Sequence, residues 1–441
     1  MAYPNDNQFQ QVITYQMAEL AIMQNSNCGI MLANKDFIEF QNKTGQLGDV
    51  VSFDLAPRAF AISGLIANPQ PAQQRVQNLT CSQAANISYE LTDQQFIFNV
   101  ENYIKKFGDA RIEELGGNIE ADILKNFTSS VTVNGDPGLP NFGQIVDPTS
   151  GPYRFYGDGY TAIDSVSQLA QANSNFEDYG AAKLNRCAIL PTTVISEIVN
   201  TAMNQFAPTR NDKYAQSWML GNFGGVEYYK SNLLPIHEAG SVGNAGNPGD
   251  TLTLVSTNDP SGNNITQLTL SGASASDVNA IKNGDLAVFI DDVAGQPNLR
   301  YRTFTVHKVS SQPVQPRMTG DAASNVSGNV TVNIFPTLQS TPGANQNLST
   351  SLRAGMKLKF LPSHRAGGLM SGNPLYLAMP KLPDQMPFPS VSTSDPETGA
   401  SIRHYWGATL GSTKNMRMYC YDQIWGSTLV AENCMRYVFP L

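Results

Sequence analysis

Charge is scarce in this chain. Asp, Glu, Lys and Arg make up 15% of its 441 residues, against roughly 25% in an ordinary soluble domain. The formal balance is −8, and Lys and Arg are scattered. The basic stripe of a protein that grips nucleic acid is therefore missing. No apolar run approaches the roughly 20 residues that a bilayer-spanning helix needs. The opening residues, Met1 to Asn7, lack a positive region followed by an apolar core. No secretory signal is expected from them, and synthesis in a cytoplasm is. Five cysteines, Cys28, Cys81, Cys187, Cys420 and Cys434, stand far apart and no Cys-x-x-Cys occurs. An odd count at irregular spacing predicts free thiols rather than a disulfide framework.

The usual marks of chemistry are missing too. There is no Gly-x-x-x-x-Gly-Lys-Ser/Thr loop to cradle phosphate, no Gly-x-Gly-x-x-Gly after a strand and no Gly-x-Ser-x-Gly elbow. His237-Glu238 begins like a zinc-protease helix, but Ser241 stands where the second His belongs. The other histidines, His307, His364 and His404, do not pair at ligand spacing, and His404, between Arg403 and Tyr405, reads as structural. Asp291-Asp292 has the chemistry for calcium, but a solvated strand end before a turn is the simpler reading. The Asn-x-Ser/Thr triplets reflect an Asn-, Ser- and Thr-rich composition. No catalytic, cofactor-binding or metal-binding residue is expected, no cofactor is, and no enzyme activity is.

Uncharged polar residues fill the gap left by charge, a composition suited to surfaces that neighbouring subunits cover. At roughly 150 residues per domain, the length predicts two to four domains. Phe9, Ile13, Met17 and Leu20 recur at helical spacing, with Asn7 as an N-cap, so residues 8–24 are expected to form an isolated amphipathic docking helix. Val51, Phe53 and Leu55 alternate, and so do Ile87, Tyr89 and Leu91. With the Pro/Gln-rich stretch 68–77 as a tip, 44–92 reads as an extended hairpin arm whose returning strand holds Ile87 and Tyr89. A lone hairpin is marginal in water, so this arm is expected to lie on another subunit. Ile112, Leu115, Ile119, Ile123 and Phe127 mark a helix over 108–127, capped by Asp109. Gly116-Gly117 inside it signals either a close approach, a bend or a tolerated weak point, each Gly costing about 1 kcal/mol against Ala.

Residues 161–206 look α/β, with a helix through Ile163, Val166 and Leu169, a strand over 187–190, and a further helix after Pro191 carrying Val194, Ile195 and Ile198. From 241 the texture changes. Gly243, Gly246, Pro248 and Gly249 read as a linker, followed by short strands at 251–256, 265–270, 285–291, 301–309 and 329–335. That spacing predicts a small antiparallel barrel or sandwich ended by a polar linker at 338–350. A strand at 374–379 then leads through a Pro-rich turn to strands near 401–410, 414–425 and 433–439, which carry Trp406, Tyr419, Tyr421, Trp425 and Phe439 and should be well buried.

This order of parts resembles the major capsid proteins of tailed bacteriophages with the Hong Kong 97-type fold. It is most similar to the subgroup of the phage P-twenty-two coat protein, which carries an inserted β-barrel domain. The stretches that carry the resemblance are Gly48 to Phe53 with Pro57, Ile87 to Phe127, Tyr229 to Pro235, Ile281 to Asp285, and Asn347 to Leu352. The likeness covers about 30–441 and rests on colinear order. It implies an α+β chain divided into an N-terminal arm (1–43), an extended loop (44–92), a peripheral domain with a spine helix (93–150), an axial α/β domain (151–240), an inserted β-barrel (241–350) and return strands (351–441).

The resemblance also implies partners: copies of the chain as hexamers and pentamers of an icosahedral head, a scaffolding protein, a portal, and double-stranded DNA enclosed without sequence-specific binding. The place implied is the virion, with assembly in the host cytoplasm, and no membrane. Candidate subunit-contact residues are Phe9, Ile13, Met17, Leu20, Arg58, Phe60 and Arg75. The hairpin has only Lys43, at its base, so covalent crosslinking through a hairpin lysine is not expected, nor is cleavage on maturation. A β-rich tail or adhesin-type protein forming small oligomers, and a hydrolase with scattered carboxylates, are the alternative classes.

Overall fold

Helical spacing puts Ile112, Leu115, Ile119 and Ile123 on one face, and a helix covers 110–124, continued by a 3-10 turn at Lys125–Phe127. In a computed structural model of the chain, the described residues are 23, 27–34, 50–55, 75–81, 83–92, 110–128, 151–181, 185–203, 219–246, 249–290, 302–305, 308–343, 345–383, 390–394, 400–408 and 416–441. The expected docking helix 8–24 falls outside them save for Met23, which is helical and buried. Asp109, His307 and Asp291-Asp292 also fall outside.

The described residues are mostly β, with few helices. The first strands are β1 (Val50–Leu55), β2 (Arg75–Thr80) and β3 (Gln83–Thr92). After the long helix come β4 (Phe155–Tyr156), β5 (Arg186–Pro191), β6 (Met219–Phe223), β7 (Val226–Ser231) and β8 (Ile236–His237). Next are β9 (Thr251–Thr257), β10 (Ile265–Ser271), β11 (Ala287–Ile290), β12 (Arg302–Thr305), β13 (Lys308–Pro313), β14 (Arg317–Met318), β15 (Asn329–Leu338) and β16 (Lys357–Phe360). The rest are β17 (His364–Ser371), β18 (Leu375–Ala378), β19 (Ser390–Ser394), β20 (Ser401–Ala408), β21 (Met416–Leu429) and β22 (Cys434–Phe439).

A seven-stranded sheet, in the order β4-β22-β17-β5-β7-β6 with β8 also on β17, forms the centre. Alternation along its strands sends successive side chains to opposite faces. Cys187, Ile189, Ala366, Met370 and Cys434 join one core with the long helix. Ala188, Leu190, Leu369, Met435 and Tyr437 join another with Leu169, Phe176 and Ile198, which sit on helices Val166–Asp178 and Thr192–Met203. Both faces are covered, which explains the continuous apolar run Cys187-Ala188-Ile189-Leu190. Ile163 precedes the first of these helices instead of lying in it. Ser165 is the N-cap, in a reciprocal capping box with Gln168.

A five-stranded sheet covers the other side of the long helix. Its strand β21 is 14 residues long and pairs with β3, β20 and β18. Phe127, Tyr421 and Trp425 are buried in this layer, each side chain contributing about 1.5–3 kcal/mol. Trp425 also donates to Asp122 at 3.1 Å, tying sheet to helix. The Gly pair divides cleanly. A Cβ on Gly116 would sit 2.6 Å from Asn27 Nδ2 and 2.9 Å from Met23 Cγ, whereas on Gly117 the nearest atom is 4.0 Å away. Gly116 marks a close approach by the 23–27 segment, and Gly117 does not.

The third assembly is a six-stranded sheet, β11-β16-β9-β10-β15-β14. An isolated bridge, Leu286↔Arg317, brings its two ends together, so the sheet is nearly closed. Leu252, Leu268, Phe289, Val330, Leu358 and others fill its interior.

Several expectations are corrected. The strand at 83–92 does not return along β1. It pairs along its length with β21, and the partner of β1 is β2, from Val50↔Thr80 to Leu55↔Arg75. The stretch expected as a tip thus ends in a strand. The run 301–309 is not one strand but the hairpin β12–β13. The nearly closed sheet takes in β16, which lies beyond the 338–350 linker. The Gly-rich start at 241 is packed rather than loose: a Cβ on Gly243 would lie 2.3 Å from the Leu361 carbonyl. The last three expected strands are present, β20 and β21 in the five-stranded sheet and β22 in the central one. Trp425, Tyr421 and Phe439 are buried as expected.

Candidate functional site: the arm root and the buried seam

Two places concentrate polar side chains that join distant parts of the chain. The first is the root of the β1–β2 ribbon. Alternation turns Gln77 and Leu79 inward and leaves Val76 51% exposed. Gln77 donates to Thr428 Oγ1 at 2.9 Å, and Phe53 stacks on Tyr376 with ring centroids 4.2 Å apart. Arg75 grips Glu432 with both terminal nitrogens, at 3.2 and 2.5 Å. Glu432 lies in the 3-10 turn Ala431–Asn433 after β21, and its backbone carbonyl accepts from Arg154 Nη1 at 3.0 Å. A guanidinium that meets a carboxylate two-pronged fixes orientation as well as distance.

Nearby, Glu120 ties the segment after Asn27 to the long helix. Its buried carboxyl accepts from Gly29 N at 2.9 Å, Ile30 N at 3.0 Å and Cys28 Sγ at 3.2 Å. Burial pushes the Glu120 pKa up, and these donors pull against that shift. The Cys28 thiol is raised well above its ordinary value by burial and by the Glu120 charge, so it is inert rather than nucleophilic.

The second place is the seam between the nearly closed sheet and the central sheet. Phe155, Leu286, Leu361 and Val438 form its apolar part. Gln315 clamps the backbone of Phe155, accepting from its N–H at 3.0 Å and donating to its carbonyl at 3.1 Å. His237 Nε2 lies 2.8 Å from Asp285 Oδ1, and Asp285 also accepts from the backbone of Gly240 and Lys282. The His364 ring centroid is 5.2 Å from that of His237. His364 Nδ1 faces the Pro362 carbonyl at 2.8 Å, which leaves Nε2 to accept from Arg436 Nη1 at 3.4 Å. Burial first, then the Arg436 charge, holds His364 far below its ordinary pKa, at about 2. Burial lowers His237 as well, against the pull of Asp285. Arg436 is wholly buried, and burial, with Arg317 nearby, lowers its pKa to about 9. These contacts bolt the two sheets together. Among the described residues no group of three or more His, Cys, Asp or Glu is placed to hold a metal ion.

No family model and no curated protein matches this chain. Solved structures do resemble it. A capsid chain of Ralstonia phage GP4 is similar over 90% of this chain and 85% of its own, at 8% identity and a TM-score of 0.43. A Mycobacterium phage Che8 chain is similar over 93% and 90%, at 8% identity and a TM-score of 0.41. A capsid chain of Cyanophage P-SCSP1u is similar over 90% and 84%, at 12% identity and a TM-score of 0.38.

Of the candidate contact residues, Phe9, Ile13, Met17, Leu20, Arg58 and Phe60 lie outside the described residues. Arg75 is described, and it is spent on Glu432 within its own chain. Sequence reading missed Glu432, Gln77, Asp285, His364 and Arg436. One signal was available: Arg436 interrupts the otherwise apolar run Cys434 to Phe439, and a strand buried along its whole length must accommodate that charge. No helix among the described residues is long and apolar enough to cross a membrane.

Proposed function

We propose that this chain is the shell subunit of a tailed-phage head, a structural component of the virion that builds hexamers and pentamers around double-stranded DNA. The observation that carries this reading is the β1–β2 ribbon. Among the described residues it is a sheet of two strands, tied to the rest of its own chain by Arg75–Glu432 and Gln77–Thr428. A two-stranded ribbon is marginal alone, and Val76 leaves apolar surface on it. A rigid root beneath a ribbon of that kind makes sense when a second copy of the chain receives it. The scarcity of charge supports the same reading, because surface covered by neighbouring subunits tends to carry little charge. The nearly closed sheet over Thr251–Phe360 serves as an inserted barrel bolted to the subunit through the seam. Scaffolding protein and portal are the further partners this reading implies, and host cytoplasm the place of assembly.

Negative-stain electron microscopy of the purified chain tests it. Shells, or free hexamers and pentamers, are expected. Removing 60–70, within the segment that follows β1, is expected to abolish them and leave the monomer's melting temperature in place. A uniform monomer or trimer from the intact chain under all assembly conditions would refute the reading.

A further inference from the structure

The seam buries a guanidinium whose outer edge has no hydrogen-bond partner among the described residues. Arg436 and Arg317 are both buried there. Among the described residues, the carboxylate that faces Arg436, Asp285, is occupied by His237 Nε2 and the N–H groups of Gly240 and Lys282. His364 and His237 are held neutral by burial, and the Lys282–Glu238 pair, at 3.5 Å, sits toward solvent. Arg436 Nη1 is spent on the Gly284 carbonyl at 3.3 Å and on His364. Its Nε and Nη2 are buried and have no hydrogen-bond partner among the described residues. Those two N–H groups form one edge of the planar guanidinium, the fork that receives an anion two-pronged. Leaving two donors of a fully buried charge unsatisfied is costly. One small anion on this edge would satisfy both donors. The wall of Phe155, Leu286, Leu361 and Val438 favours a weakly hydrated, singly charged ion over a phosphate or sulfate, whose desolvation costs more.

We propose that the Nε/Nη2 edge of Arg436 binds one small monovalent inorganic anion, chloride in the cell, as a structural ion of the seam. Thermal unfolding of the full-length protein in sodium chloride and in sodium gluconate at matched ionic strength tests this. Ligand linkage for a chain of 441 residues predicts a melting temperature that rises about 1–2 °C for each tenfold increase in chloride above half-saturation. Gluconate, too large for the seam, is expected to give no such rise. Arg436→Met should remove the chloride dependence, and Arg436→Lys, which keeps a charge but loses the fork, should remove it too. Bromide-soaked crystals of the unsubstituted protein give a readout that no folding defect affects: an anomalous peak is expected at contact distance from both Nε and Nη2. Superimposed curves in the two salts, a chloride dependence that persists in either variant, or bromide peaks at the surface only would each overturn the proposal.

Discussion

Replacing His364 with Gln is expected to flatten the acid sensitivity of this protein. His364 is fully buried, and its imidazole is held at a pKa of about 2, against 6.5 for the ordinary side chain, by burial and by the neighbouring Arg436 and His237. Its folded pKa is depressed, so between those values the unfolded chain binds a proton that the folded chain refuses. Stability therefore falls as pH falls through this window, by about 1.4 kcal/mol per pH unit for one group. From pH 6.5 to 4.5 the loss carried by His364 comes to about 2.3 kcal/mol. Gln does not titrate, yet its amide can still donate toward the Pro362 carbonyl and accept from Arg436. The His364→Gln protein should lose about 1 kcal/mol at pH 8, then converge with the parent on acidification and exceed it near pH 4.5. His237, also depressed, works in the same direction in both proteins. Glu120, pushed up by burial, works in the opposite direction in both. The difference between the two proteins thus isolates His364. Urea unfolding at pH 8, 6.5, 5.5 and 4.5, followed by the fluorescence of buried Trp425, measures it. Parallel pH profiles for parent and variant would refute the reasoning.

The glycine pair gives an internal control: Gly116→Ala should destabilise by about 1–3 kcal/mol because its Cβ meets Asn27 and Met23. Gly117→Ala, with open space around it, should stabilise by up to about 1 kcal/mol; calorimetry of the two proteins checks both signs. Glu432→Gln weakens the two-pronged hold on Arg75, whose partners are 25% and 30% exposed. Monomer stability should drop by no more than about 1 kcal/mol, while shell assembly followed by light scattering should slow severalfold because the ribbon root is loosened.

Local periodicity was legible wherever the force that shapes an element acts within that element. The stripe Ile112 to Phe127 and the alternation Val51, Phe53, Leu55 fall on a helix and a strand, and the short strands after 251 lie close to where their turn residues place them. Pairing was not legible in the same way. Ile87 and Tyr89 announce a strand with one buried face, and that face is filled equally well beside β1 or beside β21. What decides is non-local: β21 is long enough to take β3 on one side and β20 on the other, and no window of sequence around Ile87 contains that fact. The buried polar residues follow the same logic one level up. Arg75, Asp285 and His364 look like ordinary surface or turn residues until Glu432, His237 and Arg436 arrive from far along the chain. Arg436 alone betrayed itself, because an apolar strand with both faces covered has no solvent to which a guanidinium can escape. For joints of this kind, such exceptions inside buried runs are where sequence reading has purchase. The same physics explains why the ribbon root is only half visible: Gln77 and Arg75 fall in the stretch expected as a hairpin tip, Arg75 as a subunit contact, and the partners that hold them, Thr428 and Glu432, come more than three hundred residues later.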